Sequence, residues 1–141
     1  MTPMQLHNIR RSHEAVADRG DELSERFFAR LFAMQPVLRA LLPRDQWQRT
    51  RDLLAGLGLV VKEIERPGSV EHLLMDFGAK AQRTGIMPQQ YGMARQALLD
   101  AMRETMGAEW TEALERDWTD ALNSVASVVV LGAGRSRARA A

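Results

Sequence analysis

The apolar residues of this chain recur at intervals of three and four positions, a spacing that places them on one face of an α-helix. Leu6, Ile9 and Val16 form the first stripe, and residues 23–32 form a second, more strongly apolar one. Further stripes lie within residues 53–64, 73–85, 91–106 and 114–129. No segment alternates apolar and polar residues between turn residues, as a half-buried strand would. The pattern therefore predicts an all-α protein.

Proline and glycine positions predict where these helices begin and end. Pro36 and Pro43 enclose a short third helix, because proline fits the first helical turn but not the interior. Pro67-Gly68 ends the fourth helix, Ser69 is predicted to cap the fifth, and Pro88 opens the sixth. We expect seven or so helices in one domain over residues 1–132, followed by a flexible basic tail over residues 133–141.

Composition excludes several classes of function. The net charge is only +1, which gives no electrostatic reason to expect nucleic-acid or membrane binding. Cysteine is absent, so disulfides, thiolate metal ligands, cysteine nucleophiles and thioether-linked cofactors are excluded. The chain has neither an apolar signal sequence at its beginning nor a stretch long enough to span a bilayer, and a cytoplasmic location is expected.

Histidines are few and poorly placed for a metal site. His7 and His13 lie six residues apart on the first helix, so they do not share a face, and His72 lies far from both in the chain. No glycine-rich loop follows a strand, and no nucleophile–base motif is present. The residues therefore predict neither a metal site nor an enzyme.

The segment ERFFARLFAMQPVLRALLP resembles the second and third helices of flavohemoglobins and single-domain bacterial globins. Two further segments resemble parts of the same family, in the same order along the chain. The residues similar to its proximal helix and the start of the next are Phe77-Gly78, Gly85-Ile86, Pro88 and Tyr91. Trp110-Thr111 and Trp118 are similar to the start of its last helix. The resemblance covers roughly residues 5–130 and implies a globin fold, with which seven helices and a short third one agree.

The resemblance implies that the usual iron ligand is missing. In this family the histidine that binds the heme iron lies seven residues before the proline that opens the next helix. Counting back from Pro88 leads to Ala81, which has no donor atom. Tyr91 matches the tyrosine that supports this histidine, while the supporting glutamate is predicted to fall at Ala113, beside Glu112.

The resemblance also implies an altered distal side. Phe28 matches a tyrosine that contacts bound oxygen, Leu42 matches a phenylalanine that wedges the heme, and Arg49 matches the distal polar residue. The candidate cofactor-binding residues are Phe28, Leu42, Trp47, Arg49, Leu53, Phe77, Ala81, Arg83, Ile86 and Tyr91. Arg49 and Arg83 would lie at the mouth of an apolar cleft, where their planar groups suit carboxylates. Core packing for the apolar residues and a solvated surface for the arginines are the alternative interpretations.

Three functional hypotheses follow from this comparison. The preferred one is a non-enzymatic globin that binds a tetrapyrrole without iron, such as a linear bilin, or another apolar ligand, noncovalently in the former heme cleft. The first alternative is a heme-free sensor that acts through contacts with a protein partner, with a homodimer also considered. The second is a hemoprotein that binds oxygen or another gas with an unusual iron ligand. Because the chain ends after the last globin helix, no reductase part is expected.

Overall fold

A computed structural model describes the backbone of residues 1–140 and the side chains of residues 1–135. It contains seven α-helices: α1 (Pro3–Ala17), α2 (Gly20–Met34), α3 (Leu38–Leu41), α4 (Gln46–Glu65), α5 (Glu71–Thr84), α6 (Tyr91–Met106) and α7 (Glu112–Ala140). Single 3-10 turns, Pro88–Gln90 and Gly107–Glu109, precede and follow α6. Residues 1–140 include no strand, and the all-α prediction is confirmed.

Local capping explains several helix ends. Thr2 and Gln5 form a reciprocal capping box at the start of α1, and the Asp45 carboxylate accepts a hydrogen bond from the Trp47 N–H at the start of α4. Gly85 ends α5 with a φ of 106°, a left-handed conformation that strains any residue with a Cβ.

The predicted cap of α5 at Ser69 is wrong. The N-cap residue is Val70, and the Ser69 hydroxyl donates a hydrogen bond to the Lys62 carbonyl instead. The Glu63 carboxylate accepts hydrogen bonds from the backbone N–H groups of Gly68 and Val70. A long side chain at the end of α4 therefore satisfies two donors of the loop, while the N-terminus of α5 has no side-chain cap.

The core lies where the longest apolar stripes meet. The stripe on α2 is buried as predicted, at Phe27, Phe28, Leu31 and Phe32. From the stripe on α4, Leu57, Val60 and Val61 are buried, while Leu53 and Ile64 are partly buried against them. Trp118 is 0% exposed, and its indole N–H donates to the Ser12 hydroxyl at 2.8 Å. This bond joins α7 to α1 inside the core.

Helices α5 and α7 approach each other more closely than ordinary side chains would allow. A Cβ added to Gly78 would overlap the Val129 carbonyl oxygen, and a Cβ added to Gly132 would overlap the Met75 carbonyl oxygen. The contact is reciprocal, since each glycine lies against the carbonyl three residues before the other glycine. Glycine is required at both positions because backbone touches backbone. The position of α5 is therefore set mainly by α7, and α5 packs only lightly against α4.

The backbone of α7 is helical as far as Ala140, including most of the segment for which the sequence predicts a flexible tail. Arginine and alanine favour a helix, which accounts for the continuation. The side chains after Arg135 and the whole of Ala141 lie outside the described residues, and the flexibility of the tail stays a prediction. Within the described residues no helix has the length and apolar character needed to cross a membrane.

Candidate functional site

The distal half of the candidate site is built on the aromatic residues of α2. The Phe28 ring meets the Phe27 ring edge-on, with centroids 4.9 Å apart, and lies 5.8 Å from the Phe32 ring. Leu42, at the end of α3, and Leu53, on α4, pack against the core that contains these rings. Phe27, Phe28 and Phe32 thus form an aromatic wall, and the predicted residues Leu42 and Leu53 lie on the same core.

Arg49 lies across that wall. Its guanidinium carbon is 4.9 Å from the centroid of the Phe32 ring and 5.5 Å from that of Phe28, and its Nε donates a hydrogen bond to the Pro43 carbonyl. These contacts tie α4 to the loop after α3. The side chain is partly buried, and it forms no ion pair with any carboxylate of residues 1–135. The guanidinium therefore covers the aromatic wall with most of its donors unused.

The proximal half of the candidate site lies on α5 and is much less buried. Phe77 is 50% exposed, Arg83 is exposed, and Ala81 is partly buried but is not among the residues packed on the core. The remaining proximal residues, Ile86 and Tyr91, do pack against the core, and the Tyr91 hydroxyl oxygen is buried. The structure therefore separates the residues of α5 from those that follow it.

The ten predicted residues consequently fall into two groups. Those brought together on the core are Phe28, Leu42, Leu53, Ile86 and Tyr91, with Arg49 above them. Those left at the surface are Trp47, which is 62% exposed, Phe77 and Arg83. Ala81 is partly buried and belongs to neither group.

The side chains present at this site do not fit a histidine-ligated heme iron. Phe77, Ala81 and Gly85 share one face of α5 or its end, and none carries a donor atom for iron. His72 is exposed and lies nine residues before Ala81 on the same helix, roughly 13 Å along its axis. Within residues 1–135, no three histidine, aspartate or glutamate side chains are grouped so as to hold a metal ion. The histidine of α5 is thus too far along the helix to stand in for a donor at Ala81.

The predicted position of the supporting glutamate is wrong. Ala113 and Glu112 are exposed in the first turn of α7, beyond the C-terminal end of α6. Tyr91 begins α6, and the 16 residues of that helix place roughly 24 Å between its two ends. Neither residue can therefore support a group near Tyr91.

Two residues of the site were missed by sequence reasoning. The guanidinium of Arg39, on α3, lies 4.8 Å from the centroid of the Phe32 ring, the ring that Arg49 also covers. No spacing rule could reveal this contact, because it joins separate helices. Gln82, next to Ala81, has a buried Oε1 without a hydrogen-bond partner, while its Nε2 donates to the Met87 sulfur at 3.7 Å.

Two open depressions lie elsewhere on the surface. One, of about 450 Å³, is lined by Ala17, Asp18, Arg19, Gly20, Asp21, Glu22, Thr50 and Leu54. The other, of about 380 Å³, is lined by Arg10, Lys62, Glu65, Arg66, Ser69 and Val70. Neither includes a predicted cofactor-binding residue.

Comparison with known proteins identifies the family. The family model described as Globin matches residues 25–129, which is most of the chain. The chain belongs to the globin family. This globin is 22% identical over 124 residues to a flavohemoprotein of Rhizobium meliloti (strain 1021), covering 86% of this chain and 31% of that protein. It therefore spans about a third of the length of that relative.

Solved structures show the same fold at low sequence identity. A bacterial globin from Campylobacter jejuni superposes with a TM-score of 0.83 at 16% identity, covering 95% of this globin and 97% of that chain. An engineered carbene transferase, derived from a putative nitric oxide dioxygenase of Rhodothermus marinus, gives 0.84 at 20% identity, covering 98% and 96%. The predicted globin fold is confirmed.

Proposed function

We propose that this globin binds a flat apolar ligand between α4 and α5, noncovalently and without catalysing a reaction. The preferred class is a tetrapyrrole held without a histidine–iron bond, such as a linear bilin. The main support for this proposal is the exposure of Phe77, whose side chain lies half in solvent on α5, one turn before Ala81. A flat ligand lying on this face would remove the phenyl ring from water. This burial would contribute about 25 cal/mol of binding free energy per Å² of apolar area covered.

The chemistry of the site supports a noncovalent ligand with acidic groups. Cysteine is absent from the chain, so no thioether bond can form. Ala81 offers no electron pair to a metal, which favours a tetrapyrrole that does not depend on an iron–protein bond. Arg49 has N–H groups without a protein acceptor beside the apolar wall, and carboxylates such as propionate side chains are suited to that fork.

A heme-free sensor that acts through protein contacts is the second candidate. Apolar side chains exposed on α5 and α7 favour it, because a partner protein could cover them as well as a small ligand could. Their exposed fractions are 41% for Leu73, 50% for Phe77, 39% for Val130 and 50% for Leu131. The gas-binding alternative rests on similarity to the flavohemoprotein and is an outcome of the same experiment.

The experiment combines the absorption spectrum of the purified protein with titrations by biliverdin and by hemin. We expect no stoichiometric histidine-ligated heme on purification and saturable binding of biliverdin that Phe77→Ser weakens. Leu131→Ser is the matched control, because it makes the same kind of change at an equally exposed apolar side chain of α7. Stoichiometric heme on purification would support the gas-binding alternative. Failure of both ligands to bind would favour the sensor.

A further inference from the structure

We propose that the corner between α3 and α4 is an oxyanion site, with a carboxylate or phosphate group held between Arg39 and Arg49. The arginine corner is defined here as Arg39, Arg44, Arg49 and Arg51. The inference deepens the proposed function and rests on it only for the source of the anion, which is either an acidic group of the bound ligand or a free anion.

Two positive charges converge on a single ring at this corner. The guanidinium carbons of Arg39 and Arg49 lie 4.8 Å and 4.9 Å from the centroid of the Phe32 ring. The two carbons are thus at most about 10 Å apart, the sum of those distances, and their charges repel each other. The apolar rings of Phe28 and Phe32 remove part of the water that would otherwise screen this repulsion. An anion in contact with both groups would relieve it.

No carboxylate among residues 1–135 performs that role. Among residues 1–135, none of the four arginines of the corner forms an ion pair, whereas Arg10, Arg19, Arg26, Arg30 and Arg103 are all paired elsewhere. The two acidic residues nearby are engaged otherwise. Asp45 accepts from the Trp47 N–H, and Asp52 accepts from the Gln48 amide at 2.7 Å. The corner therefore keeps a net positive charge.

Arg49 is held in a fixed orientation that suits an anion. Its Nε donates to the Pro43 carbonyl, and the faces of Phe28 and Phe32 support the guanidinium plane. This leaves the two terminal nitrogens without a protein acceptor, and their parallel N–H bonds match the two oxygens of a carboxylate or phosphate. Because the group is already ordered, little side-chain entropy is lost when the anion binds.

The site is tested first with inorganic phosphate, at constant ionic strength maintained with chloride. Arginine Nε–H resonances of the full chain report binding. We expect saturable shifts at Arg49 and a loss of affinity of about tenfold in Arg39→Gln or Arg49→Gln, as expected when a charge-assisted hydrogen bond is removed. Arg66→Gln removes the same charge from the exposed end of α4 and is the control, which should bind phosphate as the unmodified protein does.

A second comparison identifies the source of the anion. Biliverdin carries two carboxylates, and its dimethyl ester carries none. If the ligand supplies the anion, biliverdin binds more tightly than the ester, and Arg39→Gln removes the difference. Phosphate binding without biliverdin binding leaves the oxyanion site standing and contradicts the proposed ligand. Equal binding of biliverdin and its ester, with no saturable phosphate binding, overturns the site and leaves the proposed function standing. Equal weakening of phosphate binding in Arg66→Gln overturns the site as well.

Discussion

Trp118 joins α7 to α1 through a fully buried ring and a hydrogen bond from its indole N–H to the Ser12 hydroxyl. Replacing Trp118 by Ala should lower the free energy of unfolding by about 3–5 kcal/mol, because a large cavity replaces a packed aromatic ring. Chemical denaturation measures the change. Trp118→Phe, which keeps an aromatic ring but loses the hydrogen bond, should cost less. An unchanged unfolding midpoint in Trp118→Ala would contradict the packing described here.

His13 should make the stability of this globin depend on pH. Burial lowers the pKa of His13 below its ordinary value of 6.5, although Glu14 and Glu65 act in the opposite direction. The unfolded chain therefore takes up the proton at a higher pH than the folded chain does. Stability from this group is complete above pH 6.5 and is lost as the pH falls below that value, towards the lowered pKa.

The measurement is the free energy of unfolding between about pH 5.5 and about pH 7.5, a range that brackets the ordinary pKa of histidine. His13→Gln should flatten the profile in this range. His7→Gln, which changes an exposed histidine of the same helix, separates the effect of burial from that of histidine content. A steeper fall in stability in His13→Gln would contradict the assignment.

At the residue scale, the sequence predicts burial better than it predicts contacts. The helical stripes correctly place Phe28 and Trp118 inside, because burial follows from periodicity within one helix. The stacking of Arg39 on Phe32 joins residues on different helices, and the Glu63 carboxylate of α4 accepts hydrogen bonds from the loop before α5. Both depend on distances between elements, which no local pattern contains.

At the element scale, the contact between α5 and α7 gives the sharpest test of the packing. Gly78→Ala or Gly132→Ala should destabilise the protein by about 1–3 kcal/mol or more, because the new methyl group meets a backbone carbonyl and the helices must separate. Thermal or chemical unfolding measures the effect.

Gly58→Ala is the matched control, since Gly58 lies inside α4 with nothing within 4 Å of an added Cβ. It should stabilise the protein by roughly 0.5–1 kcal/mol, the usual gain when alanine replaces glycine inside a helix. If Gly78→Ala behaved like Gly58→Ala, the close approach of α5 and α7 would be disproved.

The sequence predicts the helices more completely than their mutual positions. Proline and glycine mark most helix ends, and Gly85 and Gly107 are the C-cap residues of α5 and α6. The pairing of Gly78 with Gly132 was not predicted. A glycine in a helix can indicate a close neighbour on one side, but the sequence does not say which helix that neighbour belongs to. The predicted position of the supporting glutamate, at Ala113, is wrong for a related reason. A spacing counted along α7 does not contain the length of α6, which separates Ala113 from Tyr91.

At the scale of the whole molecule, the family resemblance predicts how the helices pack, which the apolar stripes do not. Periodicity alone predicts seven helices, while the match of residues 25–129 to the globin model fixes how they pack. The candidate site follows only in part. Phe28, Leu42 and Leu53 lie in or on the core, whereas Trp47 is exposed. Phe77 and Arg83 also stay outside the core, because the close contact with α7 determines the position of α5.

Restoring the imidazole tests the proximal position of the cleft. Ala81→His should raise the affinity for hemin and give the spectrum of a histidine-ligated globin, because the apolar residues Phe28, Leu42 and Leu53 remain. Absorption titration with hemin measures the change. Lys80→His adds the same group one position away on an exposed part of α5 and is the control. Equal hemin affinity in the two variants would show that Arg49 and its neighbours exclude the macrocycle.

The glycine contact between α5 and α7 also determines whether the conformational entropy of α5 is lost during folding or during ligand binding. Because backbone contact with α7 holds α5, this helix is in place before a guest molecule arrives. A guest would then bind a prearranged surface. Because nearly all protein molecules would already have the conformation that binds, the apparent affinity would equal the intrinsic one. The amides of α5 should therefore exchange slowly with deuterated water in the free protein and change little on loading. Rapid exchange along α5 that slows only on loading would show that the guest, and not α7, orders this helix.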